Sequence, residues 1–372
     1  NLVEVCPTGV FTDKTLVNDY TRKWDLQSAP SVCTGCGVGC NTMPGERYGR
    51  LKRVHNRFNA EVNGYFLCDR GRFGAGFVNS DQALEYPGLR QSDGRYQALD
   101  HHQAMLLMAQ ACEQGRSAGI GSPRASVESN YLLRTLVGAA NFAPGFSDSE
   151  QPLVNLALQL QQQSAALIPD IKTMESADAV LILGEDVTNT APRIALALRQ
   201  SVRNKAYEMA AELRLETWQD AAIRNLAQEQ RSPLFIASVG DTRLDDVAEH
   251  RASLAPDDIA ALGRAVAGTI GGAAEVELEN ALRPLADDIA GALSRAQRPL
   301  VISGTGCASA AIMAAAGQVT DALASTGKQA MLCLCVPEAN SLGQAILAGA
   351  DSPDLSRLQQ RAAAGELDTL VV

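Results

Sequence analysis

From Ala83 onward, short apolar runs alternate with longer stretches of helical period. Residues 178–184 (Asp-Ala-Val-Leu-Ile-Leu-Gly) read as a buried strand, and 192–202, opening on Pro192, as a helix. Residues 234–239 and 299–306 repeat the strand pattern, and an Ala-rich helix follows over 309–323. Residues 330–336 and 367–372 are further strand candidates, and 118–124 lead into a helix-like stretch at 127–137. Strands of unbroken apolar character alternating with helices predict parallel sheets covered on both faces. The predicted class is therefore α/β. The best linker candidate is 268–274, around Gly271 and Gly272, as a possible boundary between two α/β lobes.

The first 82 residues have a different texture. Residues 29–82 are glycine-rich with short strand-like pieces such as 51–54, and 1–28 precede them as a separate tail. The uncapped apolar run at 367–372, with no charged tail, reads as a strand just begun, so the chain is expected to be a fragment.

Composition narrows the class. A length of 372 residues suggests about two or three domains. Apolar content of 46% with 20% charge fits a large-cored globular protein. A net charge of −10 argues against nucleic acid as a partner. No apolar run is long enough for a transmembrane helix, and no secretory signal is visible. The nine cysteines are clustered rather than spread as a disulfide framework.

Four of those cysteines carry the main chemistry. Cys33, Cys36, Cys40 and Cys68 form a C-x2-C-x3-C-x27-C pattern. A cubane iron–sulfur cluster takes one thiolate per iron. Gaps of two and three residues let one tight loop supply three of them. Gly35, Gly37 and Gly39 allow that loop to curl closely, with backbone N–H groups turned inward. Cys68 closes the set at a chain-entropy cost of about 3 kcal/mol, small beside metal–thiolate binding. Zinc is the competing ligand, but it favours two C-x2-C pairs. Cysteines that simply pack in the core are the third possibility.

Cys6 stands in a Cys6-Pro7-Thr8-Gly9 step of the kind that ends a ferredoxin-type ligand run. It reads as the last ligand of a separate [4Fe–4S] cluster whose partners lie outside the chain; the plainer alternative is a small buried cysteine. Between Pro44 and Arg72, seven basic residues stand against three acidic ones. That local cationic excess suits a negatively charged cluster, and equally a docking surface. His55 reads as a hydrogen-bonding or surface histidine. Cys112, Cys307, Cys333 and Cys335 read as core positions, with Cys333 and Cys335 expected on opposite faces of a strand. Glycines follow the strands at Gly184, Gly240 and Gly304, where open α/β sheets place ligands. No complete dinucleotide or P-loop fingerprint accompanies them, and no Ser/His/Asp or Cys/His nucleophilic set can be argued.

The combination resembles the molybdopterin oxidoreductase superfamily, and within it the large iron–sulfur subunits of bacterial NADH:quinone oxidoreductase (respiratory complex I). The stretches that carry the resemblance are Cys33 to Cys40, Pro44-Gly45-Glu46-Arg47-Tyr48-Gly49 and Tyr65-Phe66-Leu67-Cys68-Asp69-Arg70-Gly71-Arg72. Gly119-Ile120-Gly121-Ser122-Pro123-Arg124, Leu183-Gly184-Glu185-Asp186 and Asp241-Thr242-Arg243-Leu244 add to them. The resemblance implies a small [4Fe–4S] domain over 29–82 followed by a molybdopterin-oxidoreductase-like α/β region over 83–372. It implies that Cys33, Cys36, Cys40 and Cys68 hold a structural cluster off the electron path, while Cys6 serves a cluster on it. It further implies partner subunits of a peripheral arm, one of them carrying FMN and the NADH site, on the cytoplasmic side of the inner membrane. Molybdopterin is expected to be absent. Molybdenum relatives commonly place lysine two residues after the fourth cysteine; here Arg70 stands there, with a planar fork in place of a point charge. The alternative is a catalytic molybdenum or tungsten bis-pterin enzyme such as a formate dehydrogenase. A zinc-binding interaction module is a third reading.

Overall fold

A computed structural model describes residues 2–6, 8, 10–272, 277–349 and 352–372. The chain begins with a small antiparallel sheet. Its strands are β1 (Gln27–Ser28), β2 (Ser31–Val32), β3 (Asn41–Arg47) and β4 (Arg50–Asn56), with β3 pairing all three others. The β3–β4 turn has two residues, Tyr48 and Gly49, with φ of 57° and 74°. Two successive positive φ values match the right-handed twist of a hairpin, which is why a glycine sits there. The Glu46 carboxylate accepts the Gly49 N–H at 2.9 Å and closes the turn.

A second hairpin, β5 (Gly88–Arg90) with β6 (Tyr96–Ala98), leads into the α/β body. There β7 (Ser117–Ile120) and β8 (Phe142–Ala143) pair in parallel. The main sheet is formed by β9 (Ala179–Leu183), β10 (Leu234–Ser238), β11 (His250–Ser253), β12 (Pro299–Gly304) and β13 (Met331–Cys335). Its order is β11-β10-β9-β12-β13, and every pair is parallel. The last strand, β14 (Thr369–Val371), pairs with β7. A two-pronged Arg116–Asp368 contact, at 3.1 and 3.0 Å, ties those distant segments together.

The alternation of side chains along a strand explains the continuous apolar runs. Leu181, Leu183, Phe235, Val301, Leu332 and Leu334 face one layer, covered by the helices Pro256–Gly271, Arg283–Arg295 and Ala310–Ser325. Val180, Ile182, Ile236, Leu300 and Ile302 face the other, covered by Ile171–Glu175 and Pro192–Ser201.

Two expectations are corrected. Residues 268–271 are not a boundary between lobes: they are the last turn of the Pro256–Gly271 helix, capped by Gly272 in the left-handed conformation. The strands before and after this stretch share one sheet. Glycines near a helix end produced the linker reading; residues 273 and 274 lie outside the described ones. Cys333 and Cys335 do not point to opposite faces. They are two residues apart, and a strand has a side-chain period of two, so both pack in the same layer as Ile302.

Leu181 is fully buried at the centre of the sheet. Leu181→Ala is expected to destabilise the body by about 2–5 kcal/mol through lost packing and a residual cavity. Chemical denaturation should show a lower midpoint with an unchanged slope.

Candidate iron–sulfur site

Three of the four patterned cysteines lie in the loop between β2 and β3. The Cys33 N–H donates to the Cys40 carbonyl at 2.8 Å and closes the loop at its base. Gly39 takes a φ of 63°, which turns the chain back toward Cys40. Cys68 is the N-cap of the short helix Asp69–Phe73. Gly71 in that helix lets Cys33 approach: a Cβ there would meet the Cys33 sulfur at 3.1 Å and the Leu67 side chain at 2.8 Å.

Cys36 and Cys40 are buried, and Cys33 and Cys68 are half-buried. Burial pushes the Cys33 and Cys36 thiols up, and Cys40 up to about 12. The mutual repulsion of the four as thiolates adds to this. The Cys68 helix also packs against this loop, with Gly71 next to the Cys33 sulfur. Among the described residues, however, no three His, Cys, Asp or Glu side chains converge closely enough to hold a single metal ion. Backbone N–H groups already point at the sulfurs: Gly35 donates to Cys33 at 3.4 Å, and Val38 donates to Cys36. Soft sulfur ligands that also accept backbone N–H groups, as Cys33 and Cys36 do here, are the donor set of an iron–sulfur cluster. The residues present therefore fit one, with Arg70 and Arg193 as the cations that act on the thiols.

Cys6 is not brought into this group. It lies on the N-terminal segment, and its sulfur contacts the Thr8 hydroxyl at 3.2 Å. That segment is nevertheless fixed to the cluster domain. Glu4 forms an ion pair with Arg72 and lies 3.4 Å from His55 Nδ1, and it accepts the Asn56 N–H at 2.7 Å. His55 is thus a hydrogen-bonding partner. Cys112 and Cys307 are half-buried and also stand outside the four.

The cluster loop is seated on the α/β body. Arg70 donates to the Gly35 carbonyl at 3.0 Å and to the Asn189 carbonyl at 2.6 Å, bridging loop and body. The Ile171 N–H donates to the Glu61 carbonyl at 3.2 Å. Gly37 lies against Val336, where a Cβ would meet the Val336 side chain at 2.8 Å and its carbonyl oxygen at 2.9 Å. Beside this contact is a largely apolar cavity of about 250 Å³, lined by Val38, Met174, Ile194, Cys333 and Cys335 among others.

The chain passes from β9 to β10 and β11 on one side, then returns to β12 and β13 on the other. The carboxyl ends of β9 and β12 thus form the switch-point crevice where open α/β sheets bind ligands. Here part of the crevice is taken by the chain itself. Gly184, with φ of 68°, turns the chain so that the buried Glu185 enters it. A Cβ on either Gly304 or Gly306 would collide with the Glu185 carboxylate. Burial raises this carboxyl, against hydrogen bonds from Thr190 and the Gly306 N–H. The sequence motif around Gly304 and Gly306 showed room for a ligand; it did not show that Glu185 uses that room.

Comparison with known proteins follows the same division. Residues 26–80 match the molybdopterin oxidoreductase Fe4S4 domain, and 84–232 match the molybdopterin oxidoreductase family. The G-subunit of the NADH-quinone oxidoreductase of Pseudomonas fluorescens is 49% identical over 100% of this chain and 41% of its own length. The corresponding Escherichia coli K12 protein is 46% identical over the same shares. The chain therefore spans about two fifths of the length of these relatives. A chain of the formyltransferase/hydrolase complex from Methylorubrum extorquens aligns with a TM-score of 0.49 at 14% identity, covering 76% of this chain and 75% of that one.

Two outcomes test the geometry. Gly37→Ala should lift the cluster loop off Val336, so iron content per chain and cluster absorbance should fall while the far-ultraviolet circular dichroism of the body is kept. The Glu4 carboxyl is raised by burial but held down at about 2 by His55, Arg72 and the Asn56 N–H. A carboxyl depressed in the folded state stabilises above its ordinary value near 4.5 and loses that contribution as it protonates. Lowering the pH from about 4.5 toward 2 should therefore free the N-terminal segment. Amide hydrogen exchange should show its protection falling over that window, and Glu4→Gln should flatten the dependence.

Proposed function

We infer that the chain belongs to the G-subunit family of the NADH-quinone oxidoreductases, within the molybdopterin oxidoreductases, and that it is the cluster-bearing part of an electron-transfer and scaffold subunit. The observation that carries this reading is the set of four patterned cysteines, three in one loop and the fourth capping the helix packed against Cys33, with backbone N–H donors to Cys33 and Cys36, beside a body whose strand-end glycines enclose Glu185.

Cys33, Cys36, Cys40 and Cys68 hold one [4Fe–4S] cluster. When bound, such a group accepts and returns single electrons. The protein's own part is to supply four thiolates, to aim N–H groups at the sulfurs and to hold the loop on Val336. Cys6 is the last ligand of a separate cluster whose other ligands are supplied from outside this chain. In the assembled enzyme, electrons pass from NADH through FMN on a neighbouring subunit and along a cluster chain to quinone. Cys6 serves that chain, while the four-cysteine cluster lies off it and fixes the small domain to the body. The other partners are further subunits of a peripheral arm on the cytoplasmic side of the inner membrane. No described helix is long and apolar enough to cross a membrane.

Molybdopterin is not part of this reading. The Glu185 carboxyl occupies the glycine-lined crevice, and Arg70 commits its fork to two carbonyls across the loop–body junction. A buried acidic group there disfavours an anionic pterin phosphate. Stoichiometric molybdenum or tungsten in the intact enzyme would establish the catalytic bis-pterin alternative instead, and zinc without iron would establish the interaction module.

The decisive variant is Cys68→Ala in the full-length protein. It should abolish the electron paramagnetic resonance signal of one [4Fe–4S] cluster and increase proteolysis within 29–82. Electron transfer from NADH to ferricyanide by the assembled complex should remain near the wild-type rate. Loss of that activity in a fully assembled complex would place the cluster on the working path and defeat the structural assignment.

A further inference from the structure

Arg193 is an unusual residue for a helix that covers a sheet. It lies in the Pro192–Ser201 helix of the α/β body, and its side chain is only 8% exposed. Two of its three nitrogens have partners. Nε donates to the Asn63 carbonyl at 3.2 Å, and Nη2 pairs with Glu175 at 2.8 Å. Nη1 is buried and makes no hydrogen bond among the described residues. A buried, charged donor left without an acceptor is costly and rare in native proteins.

The partner of Nε shows where the guanidinium is held. Asn63 is fully buried and serves as a hub. Its side-chain oxygen accepts the N–H of Asn41, the residue after Cys40, at 3.0 Å, and its amide donates to the Arg57 carbonyl at 3.2 Å. Arg193 is therefore anchored to the base of the cluster loop beside Cys40. Arg193 thus reaches the loop through a single residue, Asn63, whereas Arg70 reaches it directly at the Gly35 carbonyl. Phe66, two residues before Cys68, lies under the guanidinium, 5.7 Å from ring centre to carbon. Glu175, the counter-ion, is about one-third exposed and can be solvated in part.

The geometry points to Arg193 as the body's own contribution to the cluster site, a buried positioning cation held at the base of the cluster loop through Asn63. It rests on the assignment of Cys33, Cys36, Cys40 and Cys68 as ligands, and it goes beyond that assignment by making the cluster's redox behaviour depend on a helix outside the cluster domain. A nearby positive charge stabilises the reduced, more negative cluster. Arg70 supplies one such charge from within the small domain, and Arg193 supplies the other from the body.

The test uses the full-length protein in the assembled oxidoreductase, with potentiometric titration followed by electron paramagnetic resonance. Wild-type enzyme must first show the signal that Cys68→Ala removes. Its absence would overturn the ligand assignment itself, and this inference with it. With the signal present, Arg193→Met should move the midpoint potential of that cluster to a more negative value and leave the other clusters unmoved. Arg193→Lys, which keeps the charge and not the fork, should stay closer to wild type. Glu175→Gln removes the counter-ion and leaves the arginine in place, so it should shift the same potential in the positive direction. A purely structural arginine would weaken assembly without moving the potential. An unchanged midpoint in Arg193→Met overturns the inference. If that variant does not assemble, an unchanged midpoint in Glu175→Gln overturns it.

Discussion

Thiolates are poorly tolerated in a buried pocket, and much of this molecule is arranged around that constraint. Burial pushes all three loop cysteines toward the neutral thiol, Cys40 furthest. Only positive charge and directed N–H groups make a buried tetrathiolate tenable. Iron supplies most of that charge when bound. The protein supplies the rest from two sources, with Arg70 rooted in the helix that starts at Cys68 and Arg193 rooted in the body. Both arginines also hold carbonyls across the junction between the two parts. The same side chains thus compensate charge and dock the domains. That double use explains why arginine suits position 70: a lysine could carry the charge but not span the Gly35 and Asn189 carbonyls with a rigid fork.

The body shows the opposite arrangement at its own crevice. An open parallel sheet leaves a cleft at its switch point, and glycines at the strand ends keep that cleft accessible. In this chain the glycines remain at 184, 304 and 306, but they make room for Glu185 instead of for a phosphate. The result is a sheet that keeps its open topology and places a buried carboxyl between its strand-end glycines.

Sequence periodicity was informative where local rules decide. The main sheet's central strands, the helix after Pro192 and the Ala-rich helix after Ser309 were legible because burial on both faces leaves a continuous apolar signal. The strand β11 was not, since its His250 and Arg251 are exposed at a sheet edge and carry no such signal. The β5–β6 hairpin, exposed throughout, was missed for the same reason. Three loop cysteines two and three residues apart were readable because one loop positions them. Arg193 was invisible, because its partner Asn63 lies 130 residues away and nothing in the pattern of a surface helix marks an arginine as inward-facing. Cys333 and Cys335 were placed wrongly by parity alone: two steps along a strand return to the same face.

The clamp at the N-terminal segment links the two cluster sites that the chain is read to serve. Glu4, two residues before Cys6, holds Arg72, and Arg72 lies on the helix capped by Cys68. His55 and the Asn56 N–H complete the clamp from β4, the strand paired with the one that follows Cys40. Geometry therefore runs from the four thiols through a short helix and a hairpin to the segment that carries Cys6. If the four-thiol site empties, the Cys68 helix loses its anchor, and the Glu4 clamp loses one of its two basic partners. On the proposed reading, a cluster that carries no current would still govern electron transfer in this way, by fixing the position of Cys6. Electron tunnelling is sensitive to small displacements of its centres, so on that reading the four cysteines act on the path through the position of Cys6 and not by carrying electrons themselves.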